Sequence, residues 1–353
     1  MNIQNYNVVG VMSGTSLDGI DLAHILLQFS NGEWQFEIHK SQTISYDDEW
    51  VETLREAVGF SAEELVQLNK DYTVHLASVI KDFIATLNIS DLDAVCSHGH
   101  TILHQPNSGI TLQIGNLPVI AQLIGQRVVC DFRVQDVKLG GQGAPLVPIG
   151  DRLLFAEYDY CLNLGGFSNV SFEDNKERIA FDICPVNTVL NFYANKLGYD
   201  YDEGGKIAAG GNIIPEILEE LNNLDFYAQP YPKSLGFEFV KGTVLPIMEN
   251  SIGSAADMLR TFCEHIAIQI AGAIKSGSML VTGGGAYNTF LMERLQKLAP
   301  QIKIELPDDS TIQYKEALIF ALLGVLKLRG EINVLGSVTG AVRDHSSGNI
   351  FEL

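Results

Sequence analysis

Three glycine-rich turns hold the residues best suited to chemistry. The first lies in VGVMSGTSLDGIDLA, residues 9–23, where Ser13, Thr15 and Ser16 supply hydroxyl donors and Gly14 and Gly19 free the backbone. Such a turn can aim backbone N–H groups into a concavity, so phosphate is its natural guest. It carries no Lys, which excludes a Walker A loop. It also joins two strands that read as antiparallel, which excludes the strand-to-helix dinucleotide arrangement. Asp18 and Asp21 would repel a bare phosphate unless Mg²⁺ lay between them, so the chemical reading is a metal-nucleotide with Asp18 beside the metal. An ordinary Ser/Asp/Gly hairpin turn is the alternative. The second turn, LNLGGFSN at 162–169, brings Gly165, Gly166 and Asn169; the third, VTGGGAYN at 281–288, brings Gly283, Gly284 and Gly285 to a helix start. Three such turns, two of them on hairpins of similar pattern, point to a nucleotide held between two domains.

The elements that must position these turns read as one pattern used twice. Residues 7–46 give three meandering strands, and a helix follows from Ser61, where Ser61 and Glu64 form a capping box and Leu65, Leu68, Tyr72, Val79 and Phe83 recur at helical spacing. A strand, LDAVCSHG, then runs into a polar loop with His98, His100 and His104. Pro118 opens a short helix, and RVVCDFRVQDV reads as a strand leading to the loop GGQGAP. From Tyr158 the meander starts again, with ERIAFDI as its third strand. A long helix from Ser254 to Lys275 has Ser254 and Asp257 as caps and Met258, Phe262, Ile266 and Ile270 as its apolar stripe. The strand KIELP and a helix near Tyr314–Lys327 close the chain. The division expected is 1–150 for a first domain and 151–353 for a second.

Bulk properties narrow the partners. The net charge of −20 argues against a nucleic-acid backbone or an anionic membrane as partner. No apolar run has the length of a membrane span, and the N-terminus lacks a signal peptide's basic region, so a soluble cytoplasmic protein is expected. The five cysteines, scattered and without CxxC pairs, fit reduced thiols. Cys96, His98, His100 and His104 match no familiar zinc spacing.

The segments GVMSGTSLDGID, CSHGHT, LQIGN, DFRVQDVKLGGQGAPLVP, LNLGGFSN, the spaced Asp202, Gly205, Ala208 and Gly211, PKSLG, VTGGGAYN and KEALIFALL resemble, in order and nearly end to end, the motifs of the anhydro-N-acetylmuramic acid kinase family. The resemblance implies an α/β, actin/hexokinase-like (ribonuclease H-like) fold of two duplicated domains with mixed sheets around a nucleotide cleft. It implies ATP and Mg²⁺, a homodimer, and a reaction in which water opens a 1,6-anhydro sugar while the freed O6 takes the γ-phosphoryl. On the matching positions it makes Asp182 the catalytic base, places Arg133 and His98, His100 and Thr101 by the sugar, gives Glu316 a supporting role, and assigns Gly14 to Asp21 to the phosphates.

Two departures stand out. The family's Phe-Asp-Thr-Gly-Pro-Gly-Asn is here Phe181-Asp-Ile-Cys-Pro-Val-Asn187, and a usual Gln is His100. They leave open a related kinase for another anhydro-sugar or hydroxylated metabolite, and a non-catalytic ATP-switching protein is a further alternative. Read without the resemblance, Asp182 is equally a strand-end turn carboxylate, Arg133 an ion-pair partner of Asp131 or Asp136, and Glu316 an acid favoured at a helix start.

Overall fold

The computed structural model describes residues 3–14, 16–250 and 252–353. The chain forms two units, one of residues 1–154 with 314–353 and the other of residues 155–313. The contiguous division expected from sequence therefore differs at its end, because the last forty or so residues return to the first unit. The return has a packing cause. A Cβ on Gly10 would run into the backbone carbonyl of Ala317, so glycine lets the helix Asp309–Leu328 lie with its backbone on the first strand. Lys315 also makes a buried ion pair with Asp151, at 2.7 Å.

The first unit holds β1 (Gln4–Ser13), β2 (Ile20–Ser30), β3 (Glu33–Ile44), β4 (Ala94–Gln105), β5 (Ile110–Ile114) and β6 (Val128–Cys130). The second holds β7 (Tyr160–Leu164), β8 (Phe167–Asp174), β9 (Glu177–Pro185), β10 (Gly277–Thr282) and β11 (Ile302–Glu305), and β12 (Asn349–Phe351) rejoins the first sheet. The sheet orders are β3-β2-β1-β4-β6-β12, with β5 on β4, and β9-β8-β7-β10-β11. In each, the three meander strands pair antiparallel and the next two are added in parallel to the first. This is the duplicated mixed α/β sheet of the actin/hexokinase-like fold, and the repeat that the hairpins suggest is explicit in the topology.

Each sheet is covered by a helix whose start is written in its sequence. Ser61 and Glu64 exchange backbone hydrogen bonds at the head of the helix Ala62–Thr86, which buries Leu68, Tyr72, Leu76, Ile80 and Phe83 against Val9, Val11, Leu22 and Val95. Ser254 and Asp257 do the same for Ala255–Ala273, which buries Met258, Phe262, Ile266 and Ile270 against Leu162, Val170 and Val281. Each such side chain contributes about 1.5–3 kcal/mol relative to exposure.

Two local expectations are corrected. The polar stretch from His98 to His104 is not a loop: β4 continues to Gln105, because β5 pairs with it from His100 onward. RVVCDFRVQDV is not one strand either, since β6 ends at Cys130, Asp131 takes a φ of 63°, and Val134–Lys138 is a short helix. Among the described residues, no helix is long and apolar enough to cross a membrane.

Candidate active-site residues

In the first unit, β1 and β2 end at the turn that carries the phosphate-type residues. Ser16 and Asp18 are exposed, Gly14 is partly buried and Gly19 is buried; Thr15 lies outside the described residues. Asp21, at the start of β2, accepts a 2.6 Å hydrogen bond from Thr43 Oγ1. Burial raises its carboxyl pKa, Thr43 opposes this, and the neighbouring Asp18 raises it further. A carboxylate whose charge is disfavoured in this way is where a cation is welcome. No group of three His, Cys, Asp or Glu among the described residues is arranged to hold a metal alone.

Behind the turn, Ser13 is buried and its hydroxyl lies 2.8 Å from His100 Nδ1 and 2.7 Å from Tyr46 OH, which in turn is 2.5 Å from Tyr72 OH. Burial pushes His100 down to about 4, so it is a neutral member of this chain of hydroxyls at physiological pH. Sequence reading placed Tyr72 only among the apolar positions of its helix and did not single out Tyr46, which stands between Ser45 and Asp47 with no local signal of this contact.

His98, also buried, binds Arg133. Its Nδ1 lies 2.9 Å from the Gly99 carbonyl, which can only accept, so Nδ1 carries the proton and Nε2 is free to accept from Arg133 Nε at 2.8 Å. Burial first, and the Arg133 charge second, hold His98 well below its ordinary pKa. Arg133 also donates to Gly143 O, 2.6 Å away. Burial lowers Arg133 to about 10, while Glu316 and Asp136 favour its charge. Arg133 is thus oriented by His98 and the glycine loop, and neither Asp131 nor Asp136 is its hydrogen-bond partner. Asp136 instead fixes the GGQGAP loop. Fully buried, it accepts from Gly143 N at 2.6 Å and from Thr339 Oγ1 at 2.7 Å.

Thr101 is partly buried and accepts from Gln113 Nε2 across β4 and β5. Glu316 is solvent-exposed, yet the protein around it raises its carboxyl pKa; Arg133 pulls it down and Asp21 pushes it up. Its helix, Asp309–Leu328, is broken at Tyr314, so Glu316 lies in the first turn of the part that follows the break, as the sequence suggests. Arg133, Glu316 and Asp21 therefore interact electrostatically within one unit.

In the second unit, Asp182 sits on β9 opposite Asn169 of β8, beside a bulge where the pairing resumes as Ser168 with Cys184. Its Oδ2 accepts from Leu235 N at 2.8 Å and its backbone N–H donates to Lys233 O at 3.0 Å. The PKSLG segment thus holds Asp182 at its carboxylate through Leu235 N and at its backbone through Lys233 O. Sequence reading singled out PKSLG without this role. Burial raises Asp182 to about 6, against the Leu235 hydrogen bond that lowers it. A carboxylate of this pKa is ionised at neutral pH yet a far better proton acceptor than an exposed Asp.

The two glycine turns of this unit meet. Gly283 has a φ of 82°, and a Cβ there would approach the Leu164 carbonyl to 2.9 Å, so only glycine lets the third turn lie against the second. Gly165 and Gly166 accept from the backbone N–H groups of Asn187 and Val186, and Asn187 Nδ2 donates to Leu164 O. A Cβ on Gly284 would come within 3.7 Å of Asn187 Nδ2, and one on Gly285 would crowd the Leu164 side chain. Asn169 is exposed. The turns and Asp182 are brought together on adjoining strand ends of one sheet.

The profile of the anhydro-N-acetylmuramic acid kinase family matches residues 6–353. The anhydro-N-acetylmuramic acid kinase of Shewanella sediminis is 35% identical, over 97% of this chain and 98% of that one. Its counterpart from Shewanella woodyi is 34% identical with the same coverage. A distant likeness is found to component A of (R)-2-hydroxyglutaryl-CoA dehydratase from Acidaminococcus fermentans, at 14% identity and a TM-score of 0.45 over 92% of this chain and 99% of that one. With a family match and relatives that run nearly end to end, the chain belongs to the anhydro-N-acetylmuramic acid kinase family.

Proposed function

We propose that this chain is an ATP-dependent kinase that opens the 1,6-anhydro ring of anhydro-N-acetylmuramic acid and phosphorylates O6, giving N-acetylmuramic acid 6-phosphate and ADP. The observation that carries the reading, beside family membership, is Asp182: one oxygen is pinned by a main-chain N–H and the carboxyl is raised to about 6 by burial. Asp182 takes a proton from water as the water oxygen bonds to the anomeric carbon. The bond from that carbon to O6 breaks, and O6 takes the γ-phosphoryl of ATP. A second carboxylic acid, which acetal cleavage ordinarily needs to protonate the departing oxygen, is replaced by phosphorus. One base suffices, with about 10²–10⁴ in rate from its position.

Arg133, held by His98 and Gly143, supplies a fixed pair of N–H directions for the sugar's polar groups, with Glu316 favouring its charge and His100 and Thr101 following His98 along β4. In the first unit the nucleotide's phosphates are assigned to the backbone around Gly14 and Gly19 and to the Thr15 and Ser16 hydroxyls, while the buried Ser13 hydroxyl, engaged by His100 and Tyr46, supports the turn from behind; in the second unit the turns at Gly165–Gly166, Asn169 and Gly283–Gly285 are the nucleotide-binding candidates. Mg²⁺ carried by the phosphates would be met by Asp18, with Asp21 close enough to feel its charge. It would neutralise charge on the transferring phosphoryl oxygens.

The altered FDICPVN segment motivates the second reading, a different acceptor. Its changed residues are core residues: Ile183 is 3% exposed, and Cys184 and Val186 are fully buried. Cys184 Sγ sits 3.2 Å from Ser168 Oγ, and all three pack in the apolar cluster of the second unit. Side chains so placed do not contact a sugar, which favours an unchanged substrate. A cytoplasmic homodimer completes the proposal; the free, buried cysteines fit a reducing compartment. The test is ADP release with and without anhydro-N-acetylmuramic acid, with product mass. A product heavier by one water and one phosphoryl group supports the kinase, while ATP binding without sugar-stimulated ADP release moves the acceptor elsewhere.

A further inference from the structure

A cavity of about 480 Å³ lies in the first unit, lined by residues of β1, β2 and β3 and by the turn that follows the helix Ala62–Thr86. Its basic wall is built by a β-bulge. His24 pairs with Lys40 while Ile25 pairs with Ile38, so His39 is an extra residue in β3. In a regular strand His39 and Lys40 would point to opposite faces. The bulge re-aims them, and both line the same cavity as His24. The His24 and His39 rings lie 5.3 Å apart.

Hydrogen bonding fixes the His24 ring. Asn7 Nδ2 donates to the carbonyls of Ser90 and Asp91, so Asn7 Oδ1, at 2.6 Å from His24 Nε2, must accept. Nε2 therefore carries a proton in either charge state, and a second proton goes to Nδ1. The acids nearby are engaged or exposed. Asp91 accepts from Ser90 Oγ, Asp93 accepts from Asn7 N, and Glu37, at 3.4 Å from His39, is 69% exposed. Three groups that bear or gain positive charge thus share one concavity on a chain of net charge −20.

We propose that this cavity binds a small organic anion, bearing a phosphate or a carboxylate, through His24, His39 and Lys40, with Leu26 and Leu87 against its apolar part. A cation is disfavoured because Lys40 repels it, and no trio of metal-type ligands occurs among the described residues. The site is separate from the glycine turn: His24 lies four residues along β2 from Ile20, about 13 Å of strand. It does not depend on the kinase assignment.

Free of ligand, His24 is held below its ordinary pKa by burial, then by His39 and Lys40. An anion reverses that balance, so binding strengthens as pH falls and the bound anion raises the titration of His24.

The experiment is histidine ring NMR of the full chain titrated at pH 6 and pH 8 with inorganic phosphate and, separately, with citrate. The expected result is a shift of the His24 and His39 signals, tighter at pH 6, with affinity reduced about tenfold in Lys40→Ser, the factor of one lost charge-assisted hydrogen bond. Whichever anion binds tighter identifies the ligand class. Phosphate acting at the glycine turn would move His100 instead and would overturn the proposal. So would unmoved His24 and His39 signals, an equal response in Lys40→Ser, or a response to Zn²⁺ alone.

Discussion

Replacing Asp182 by Asn removes the proposed base while keeping its shape, since an amide oxygen can still accept from Leu235 N. Activity and stability should then move in opposite directions. The loss of a positioned base lowers kcat by about 10²–10⁴, equivalent to about 3–5 kcal/mol of barrier. In the folded protein the carboxyl rises from 3.8 to about 6, which corresponds to about 3 kcal/mol against the charged form at neutral pH. Asp182 is only partly buried, so roughly half of that survives solvent screening. The sign follows from proton linkage. A carboxyl raised on folding adds stability below its unfolded pKa, and the advantage is lost as pH rises through about 6. Asp182→Asn should therefore melt a few degrees above the parent at pH 7.5, at about 2–4 °C per kcal/mol, and lose that advantage near pH 4. Steady-state ADP release and calorimetry at the two pH values make the assay. The parent's own kcat/KM should fall to about a tenth of its plateau at pH 5. A variant that turns over normally, or that melts lower than the parent at pH 7.5, refutes this account of Asp182.

Other perturbations test the supporting geometry. Arg133→Lys exchanges a planar fork, shared between His98 Nε2 and Gly143 O, for a point charge, so sugar-dependent kcat/KM should drop about 10–100-fold with little change in unfolding; unaltered kinetics would count against its orientation by His98. Ser13→Ala leaves His100 Nδ1 and Tyr46 OH facing a methyl group inside the protein, and urea unfolding should show a loss of about 1–3 kcal/mol. Val186→Gly, which returns one residue of FDICPVN to the family's usual glycine, empties a fully buried site in the second core. It should cost about 2–4 kcal/mol in stability while leaving the preferred sugar unchanged, and a changed acceptor profile would show that this segment reaches the substrate.

The parts legible in sequence are those governed by local rules. Both capping boxes, the apolar stripes of the two long helices and the paired meanders follow from residue spacing, because a helix start or a hairpin is decided within a few positions. The glycine turns were legible for the same reason. The histidines of β4 were not: His98 and His100 look like loop residues until Gly99 O, Arg133 and Ser13 are seen to satisfy them, and those partners lie up to 87 positions away. Nor does any local signal tell the helix after Tyr314 to leave the second unit, since that choice rests on Gly10 and Asp151 far earlier in the chain. The candidate base combines both cases. A carboxylate at a strand end is visible as ordinary turn chemistry, but its proton affinity is set by burial and by the N–H of Leu235, 53 positions on. Composition can suggest an Asp for the role; only the clamp by PKSLG separates a base from a turn residue.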